Sequence, residues 1–359
     1  MSDRAGRLWQ SRRGARPYHV TMSRTHHAGR PPTMADVAAR AGVSHQTVSR
    51  VLNDFPSIRS ETRDRVLAAI TELGYRRNDA ARRLASARSG LLGVVASALP
   101  QFGPASILVG LETAAAQEGY RLSSVNVVDV TEVRFTAAVE QLLEQAIEAL
   151  VLLVPHRPIL HVAHALDLAI PVIVVEGDLT MTPLSAGVDN LQGARVATRH
   201  LLNLGHETVV HVAGPAEWLE SGARAEGWRR ELEASGREIP AIHWGGDWSA
   251  RSGYLIGKSL AHADTTAVFA ANDQMALGIM RALAEAGRRV PEDTSVVGFD
   301  DLPEAQYFTP PLTTVRQPFD ELATRVMQLI QRSLAGEAEP RVELVQTSLV
   351  IRSSTAPPS

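Results

Sequence analysis

The sequence predicts an α/β protein made of a small helical head and a larger body in which strands and helices alternate. Three short amphipathic helical patterns in residues 33–73 predict the head. Apolar runs of strand length, alternating with helical segments from about Leu91, predict the body. Charge separates the two parts: residues 1–90 hold 17 Arg against 7 acidic residues, and the remainder holds 19 basic and 32 acidic residues.

Residues 33–53, TMADVAARAGVSHQTVSRVLN, have the pattern of two short helices joined by a tight turn. Thr33 and Asp36 predict a capping box at the start of the first helix, and Gly42 predicts its end. Ser44 is the candidate N-cap of the second helix. This arrangement predicts a helix-turn-helix, whose second helix enters the DNA major groove. The alternative is an ordinary corner between two helices.

A third helix is predicted over residues 60–73, with Ser60 as its N-cap and Gly74 at its end. The residues expected to face the core of the three helices are Val37, Ala38, Ala41, Val48, Val51, Leu52, Val66, Leu67, Ile70 and Leu73. The second helix has exposed polar side chains that can hydrogen-bond to base edges, since Arg pairs with guanine and Gln with adenine. A basic head on an acidic body is typical of a nucleic-acid-binding domain attached to a different module.

The next segment, GYRRNDAARRLASARSGLLGVV, identifies a resemblance to the lac repressor family of bacterial transcription regulators, over about residues 33–356. The resemblance implies a helix-turn-helix domain over 33–77 and a hinge helix with its linker over 78–90. The hinge helix would insert Leu84 into the minor groove as an apolar wedge. The predicted DNA contacts are Thr33, Ser44, His45, Gln46, Thr47, Ser49, Arg50, Asn53, Tyr75, Asn78, Ala81 and Leu84.

The composition excludes several classes of protein. With 359 residues, 45% of them apolar, the chain can bury a large core and is expected to form two or three domains. It has no Cys, which excludes disulfides and fits a cytoplasmic, nucleoid-associated protein. No run of about 18 apolar residues is present, so no membrane span is expected. Residues 1–32 are predicted to be a disordered basic tail.

The body has the pattern of a doubly wound α/β protein, in which ligands bind beyond the carboxyl ends of the strands. Strands are predicted at residues 91–97, 149–155, 170–176, 208–214, 266–273 and 294–300. Helices are predicted at residues 106–118, 133–147, 190–204, 222–235, 250–261 and 274–287. The resemblance implies a periplasmic-binding-protein-like core with a sugar-sized cleft between two subdomains. These would be residues 91–188 with 317–346 and residues 189–316 with 347–356.

Polar and aromatic residues collect where these strands end. Carboxylates, Asn and Arg can bind adjacent sugar hydroxyls, while an indole or phenyl ring covers the CH face of a sugar. Matching positions bind the effector in the family. The candidates here are Ser97, Pro104, Glu176, Arg224, Trp248, Asn272, Asp300, Gln317 and Phe319. Each of these residues could instead have a purely structural role, since an Asp at a strand end often caps a helix and a Trp often packs in a core.

Two departures from the resemblance bear on the ligand. An Asp is expected where this chain has Glu176, and a cleft-facing Asn where it has Leu153. Galactosides and other sugars or glycosides therefore both stay open as effectors.

The sequence thus predicts a sugar-responsive repressor that binds a pseudo-palindromic operator in double-stranded DNA as a homodimer, because one helix-turn-helix reads few base pairs. The chain ends without a leucine heptad, which favours a dimer over a tetramer. No nucleophile elbow, metal-spaced cluster or nucleotide-binding glycine motif occurs, so neither catalysis nor a cofactor is expected. The alternatives are a co-repressor mode, in which the ligand strengthens DNA binding, and a solute-binding protein, which predicts an export signal and no basic head.

Overall fold

The chain, seen in a computed structural model, divides into two compact units, residues 1–82 and 83–359. The structure describes residues 30, 32–52, 55–75, 89–97, 99–128, 131–154, 162, 168–176, 184–337 and 339–359. The hinge helix and most of the basic tail lie outside the described residues. So do four predicted DNA contacts, Asn53, Asn78, Ala81 and Leu84. Within the described ranges, no helix has both the length and the apolar character to cross a membrane.

The first unit contains three helices, α1 Met34–Ala41, α2 His45–Leu52 and α3 Ser60–Leu73. The predicted capping box is confirmed. The Thr33 hydroxyl accepts a hydrogen bond from the Asp36 amide at 3.4 Å, and the Asp36 carboxylate accepts one from the Thr33 amide at 2.8 Å. These bonds satisfy donors that the first turn leaves without helical partners.

The turns between the helices follow the sequence signals with one exception. Gly42 takes the left-handed conformation (φ 64°) that ends α1, and Ser44 accepts from the Thr47 amide at 3.1 Å as the N-cap of α2. The prediction of Ser60 as the N-cap of α3 was wrong. The carbonyl of Arg59 accepts the first helical hydrogen bonds, so Ser60 is already the first helical residue. Gly74 ends α3 as predicted.

The core of the first unit is formed by one apolar face of each helix. Its buried residues are Val37, Ala38, Ala41, Val48, Val51, Val66, Ala69 and Tyr75. Leu52, Ile70 and Leu73 pack against them while partly buried. The prediction of Leu67 as a core residue was wrong, because it lies about 100° around α3 from Val66 and is 48% exposed. The ring of Tyr75, a predicted DNA contact, lies in this core.

The second unit consists of two sheets with helices on both faces. Its described strands are β1 Leu91–Ala96, β2 Arg121–Asn126, β3 Ala149–Leu153, β4 Val172–Val175, β5 Leu184–Val188, β6 Val210–Ala213, β7 His243–Trp244, β8 Ala267–Ala270, β9 Ser295–Asp300, β10 Thr313–Arg316, β11 Arg341–Val345 and β12 Ser348–Val350. Its described α-helices are α4 Phe102–Gln117, α5 Glu132–Leu143, α6 Asn190–Asn203, α7 Leu219–Ala234, α8 Ala250–Leu260, α9 Asp273–Glu285 and α10 Phe319–Leu334. A short 3₁₀ helix spans Ala305–Tyr307.

The strand order is β11-β5-β4-β3-β1-β2 in the first sheet and β12-β10-β9-β8-β6-β7 in the second. Neighbouring strands are parallel except for β10 and β12. Successive residues face opposite sides, so Val94 packs with α4 and α10 while Val95 packs with α5. In the second sheet, α8 and α9 cover one face and α6 and α7 cover the other. The predicted doubly wound α/β fold is confirmed.

The chain passes between the two sheets three times. It leaves the first sheet after β5, returns after β10 to form α10 and β11, and enters the second sheet again at β12. The loops that follow β1, β3, β4, β8 and β9 leave the carboxyl ends of their strands, which is where ligands bind in such folds.

Thr33→Ala is expected to destabilise α1 by about 0.5–2 kcal/mol, because it removes the hydroxyl of the capping box. Amide hydrogen exchange in the full-length protein should then be faster at Asp36 and Val37. Thr71→Ala is the matched control, since Thr71 lies exposed inside α3 and its hydroxyl bonds back to the Leu67 carbonyl. Equal exchange in wild type and Thr33→Ala would contradict the capping role.

Candidate functional sites

The second unit contains an open cavity where the ends of strands from both sheets meet, with about 510 Å³ of space when its solvent-filled mouth is included. The residues that line it are Gln101, Phe102, Gly103, Pro104, Ile107, Leu153, Glu176, Trp218, Glu220, Arg224, Trp248, Asn272, Asp300, Gln317 and Phe319. Eight of the nine predicted effector residues are in this set. The ninth, Ser97, is not: its amide donates to the Leu153 carbonyl at 3.1 Å, which continues the β1–β3 pairing, and its side chain is fully buried.

Arg224 is the centre of the polar side of the cavity. Its Nε donates to Asn190 Oδ1 at 2.8 Å, and its Nη1 lies 3.6 Å from Asp300 Oδ1. The guanidinium carbon lies 3.8 Å from the centroid of the Phe299 ring, so the cation makes a cation–π contact with the face of that ring. Arg224 is 5% exposed, so these partners replace most of its hydration.

Hydrogen bonds and one ion pair connect Arg224 to groups from both sheets. Glu176, which follows β4, accepts from the Val188 amide at 2.7 Å and from Asn190 Nδ2 at 3.1 Å. Gln317, which follows β10, donates to Asp300 Oδ1 at 2.6 Å. Asn190 and Gln317 stand just after two of the passages between the sheets, so the network joins the ends of β4 and β9 through these connections.

The buried carboxyl groups of the cavity hold their protons more tightly than they would in water. Burial raises the pKa of Glu176 to about 7 and that of Asp300 to about 6, although hydrogen bonds and Arg224 oppose both shifts. Burial also raises the pKa of Glu220 well above its usual range, with a further contribution from Glu176. Burial lowers the pKa of Arg224, against the attraction of these acids.

Aromatic and apolar side chains form the remaining walls. Trp218 and Trp248 meet edge to face with centroids 5.4 Å apart, and Phe102 meets Phe319 in the same way at 5.9 Å. Leu153 adds an aliphatic surface at the end of β3. One side rich in hydrogen-bonding groups and another rich in rings suits a carbohydrate, which has hydroxyls at its edge and CH groups on its faces.

Three cleft residues other than glycine have left-handed backbone, namely Glu176 (φ 57°), Trp248 (φ 68°) and Asp300 (φ 113°). Trp248 also lies directly on Gly214, where a Cβ would overlap the indole ring. Asn272 holds this loop, because its Nδ2 donates to the Trp248 carbonyl at 3.0 Å while its Oδ1 caps α9. Asn272 therefore contributes to positioning Trp248 as well as to the lining.

Sequence reasoning missed several lining residues. They are Gln101, Phe102, Gly103, Ile107, Trp218 and Glu220, and the network residue Asn190 was missed as well. Trp218 and Glu220 stand in the PAEWLE segment after β6, so the rule of polar and aromatic residues at strand ends could have found them. Ile107 gave no such signal, because its apolar side chain is also expected in the core.

Of the predicted DNA-contacting residues in the first unit, Ser44, His45, Gln46 and Thr47 lie at the start of α2, Ser49 and Arg50 lie further along it, and Thr33 caps α1. Ser44, His45, Gln46 and Arg50 are exposed. Thr33, Thr47 and Ser49 are half-buried. The Thr47 hydroxyl lies 2.9 Å from the Ser44 hydroxyl. In the described part of the chain, no three His, Asp or Glu side chains are grouped to hold a metal ion.

Comparison with known proteins identifies the family. Residues 33–78 match the model for bacterial regulatory proteins of the lacI family, and residues 198–355 match that for a periplasmic binding protein-like domain. The lactose operon repressor of Escherichia coli (strain K12) is 37% identical over 338 residues, which cover 92% of each protein. The chain belongs to the lacI family.

Two solved structures of related regulators resemble about nine tenths of the chain. The lac repressor dimer bound to operator and the anti-inducer ONPF matches with a TM-score of 0.81 at 34% identity, covering 91% of this chain and all of that one. The complex of the regulator CelR with cellobiose matches with a TM-score of 0.66 at 30% identity, covering 90% of this chain and 99% of that one. The resemblance inferred from the sequence is therefore confirmed.

Glu176→Gln is expected to flatten the pH dependence of stability. The pKa of Glu176 is about 7 in the folded state against 4.5 for the unperturbed group, so the folded protein binds this proton more tightly. Stability therefore falls as the pH rises from about 4.5 to 7, and a Gln side chain removes that contribution. Unfolding temperatures measured across this range test it. Glu304→Gln, at an exposed position, is the control, and equal slopes in wild type and Glu176→Gln would contradict the assignment.

Proposed function

We propose that this lacI-family protein is a sugar-responsive transcriptional repressor. It binds a pseudo-palindromic operator as a homodimer, and a small carbohydrate that enters the cavity of the second unit releases it. It works on DNA in the cytoplasm and has no catalytic activity. The observation that carries the proposal is the cavity itself, where Arg224, Asn272 and Asp300 face aromatic walls.

The helix-turn-helix supplies the DNA-binding part of the proposal. The first turn of α2 presents His45 and Gln46 on a surface that no side chain of the core occupies, and Arg50 lies one turn further on. A helix that leads with such residues fits the major groove. Dimeric binding is supported by the related lac repressor, which has been seen as a dimer on its operator.

The polar contacts around Arg224 could couple ligand binding in the cavity to DNA binding. Glu176 follows a strand of the first sheet and Asp300 ends a strand of the second, while Asn190 and Gln317 lie at the connections between them. A ligand that binds these groups replaces bonds that set the angle between the sheets. In this proposal, the new angle is passed to the DNA-binding domain through residues 78–86, the predicted hinge helix, which lies outside the described residues.

The sugar and the operator are expected to weaken each other's binding by the same factor, about 5–150-fold, because the coupling is reciprocal. A thermal-shift screen of hexoses and disaccharides would find the sugar, and titrations with and without operator would measure the factor. Trp218→Ala should lose sugar affinity and keep operator affinity. Trp244→Ala is the matched control, since Trp244 is 48% exposed and lies outside the cavity lining.

Equal sugar affinity with and without operator would refute the coupling. Tighter operator binding in the presence of the sugar would instead establish the co-repressor mode.

Arg50→Ala is expected to flatten base preference at one operator position, with a loss of about 1–3 kcal/mol for the preferred base. Arg65→Ala, which removes an exposed arginine of α3, is the control and should weaken all sequences about equally. Binding of the full-length protein to a set of singly substituted operators at fixed salt tests both. An unchanged base preference in Arg50→Ala would remove Arg50 from the reading surface.

A further inference from the structure

Phe55 is an exposed aromatic residue to which neither the motifs nor the family resemblance gave a role. It lies in the turn between α2 and α3, and 52% of its surface is exposed. The buried core of the first unit does not include it, although Ile58 from the same turn packs against that core. The ring therefore adds little to the packing of this unit, and a role for it has to come from its neighbours on the surface.

The neighbour of this ring is Arg50, which stands on the proposed reading surface of α2. The guanidinium carbon of Arg50 lies 5.9 Å from the centroid of the Phe55 ring, within the range of a cation–π contact. Among the described residues, the Arg50 side chain makes no hydrogen bond or ion pair. Phe55 is thus the described group that restricts the orientation of this guanidinium, and the contact leaves the N–H donors of Arg50 available for a base.

The backbone fixes the ring beside Arg50. The Phe55 amide donates to the Arg50 carbonyl at 3.0 Å, which ties the turn to the last turn of α2. From α3, Arg63 Nη2 donates to the Phe55 carbonyl at 3.3 Å. Both bonds use backbone atoms of Phe55, so a change of its side chain does not remove them. The position of the ring is therefore set by two helices of the first unit before any DNA is bound.

We propose that Phe55 is a positioning residue for DNA recognition, whose ring holds the Arg50 guanidinium in the orientation that reads a guanine in the major groove. The inference rests on the proposed function, because it assumes that Arg50 contacts a base. A long side chain that is free in solution loses conformational entropy when a base fixes it. A guanidinium already restricted by the ring loses less. Since this cost arises only where the two-bond contact with guanine forms, lowering it raises the preference for guanine over other bases.

The test uses full-length protein and a library of DNA duplexes in which both half-sites of a palindrome are randomised. Bound duplexes are recovered at fixed salt and sequenced, which measures the preference for each base at every position. Wild type is expected to select guanine at one position of each half-site, and Arg50→Ala should lose that selection. Phe55→Leu should reduce it by about two- to fivefold, which is the strength of an exposed cation–π contact, and should leave the other positions unchanged.

Three further variants complete the test. Phe55→Tyr keeps the aromatic face and should keep the wild-type selection of guanine. In the double variant Arg50→Ala/Phe55→Leu, the second change should have no further effect on base preference, because no guanidinium remains to be positioned. Leu67→Ala is the matched control, since Leu67 is an apolar residue of α3 with a similar exposure of 48%, and it should leave every position unchanged. Thermal unfolding would establish that each variant is folded.

The outcomes separate this inference from the proposed function. If Phe55→Leu keeps the guanine selection that Arg50→Ala loses, or if Phe55→Tyr loses as much of it as Phe55→Leu, the positioning role is overturned and the sugar-responsive repressor stands. A loss at a different position in Phe55→Leu also overturns it, because the ring would then read a base itself. If Arg50→Ala leaves the selection intact, this inference fails and the repressor reads its operator through other residues. If wild type selects no sequence from the library, both proposals fail.

Discussion

The buried guanidinium of Arg224 is the group on which the polar side of the cavity depends. A cation removed from water is strongly unfavourable unless its partners replace the lost hydration. Here the guanidinium donates a hydrogen bond to Asn190 and pairs with the Asp300 carboxylate, and the Phe299 ring packs against the flat face of the guanidinium. In return, the positive charge opposes the rise that burial causes in the pKa of Glu176 and of Asp300. The loss of Arg224 would leave these acids without a counterion.

The fold brings the partners of Arg224 together from distant parts of the chain. Glu176 and Asp300 come from different sheets, and each follows or ends a parallel strand. Asn190 and Gln317 belong to connections between the sheets. The same residues that surround the charge therefore also connect the two halves of the second unit, so the cavity lining and the junction of the sheets share one set of polar contacts.

Most strands and most cavity residues of the second unit were predicted from the sequence, and those that were missed have physical reasons. Apolar runs such as ALVLL in β3 and VVGF within β9 were recognised because a strand buried on both faces has no polar alternation. The edge strand β2, with the sequence RLSSVN, and the two-residue β7 lack that signal. In the cleft, Asp300 and Asn272 were found from their places at strand ends. Asn190 was missed because its role depends on a contact with Arg224, 34 residues away, that no local pattern reveals.

The left-handed backbone at Glu176, Trp248 and Asp300 has a consequence for how the cleft tolerates change. Such conformations cost of order 1–3 kcal/mol for residues other than glycine and persist when the surrounding contacts enforce them. Glycine at these positions would relieve that energy and at the same time delete side chains that line the cavity. Selection for heat resistance and selection for an intact cavity lining would therefore act in opposite directions on the same three positions.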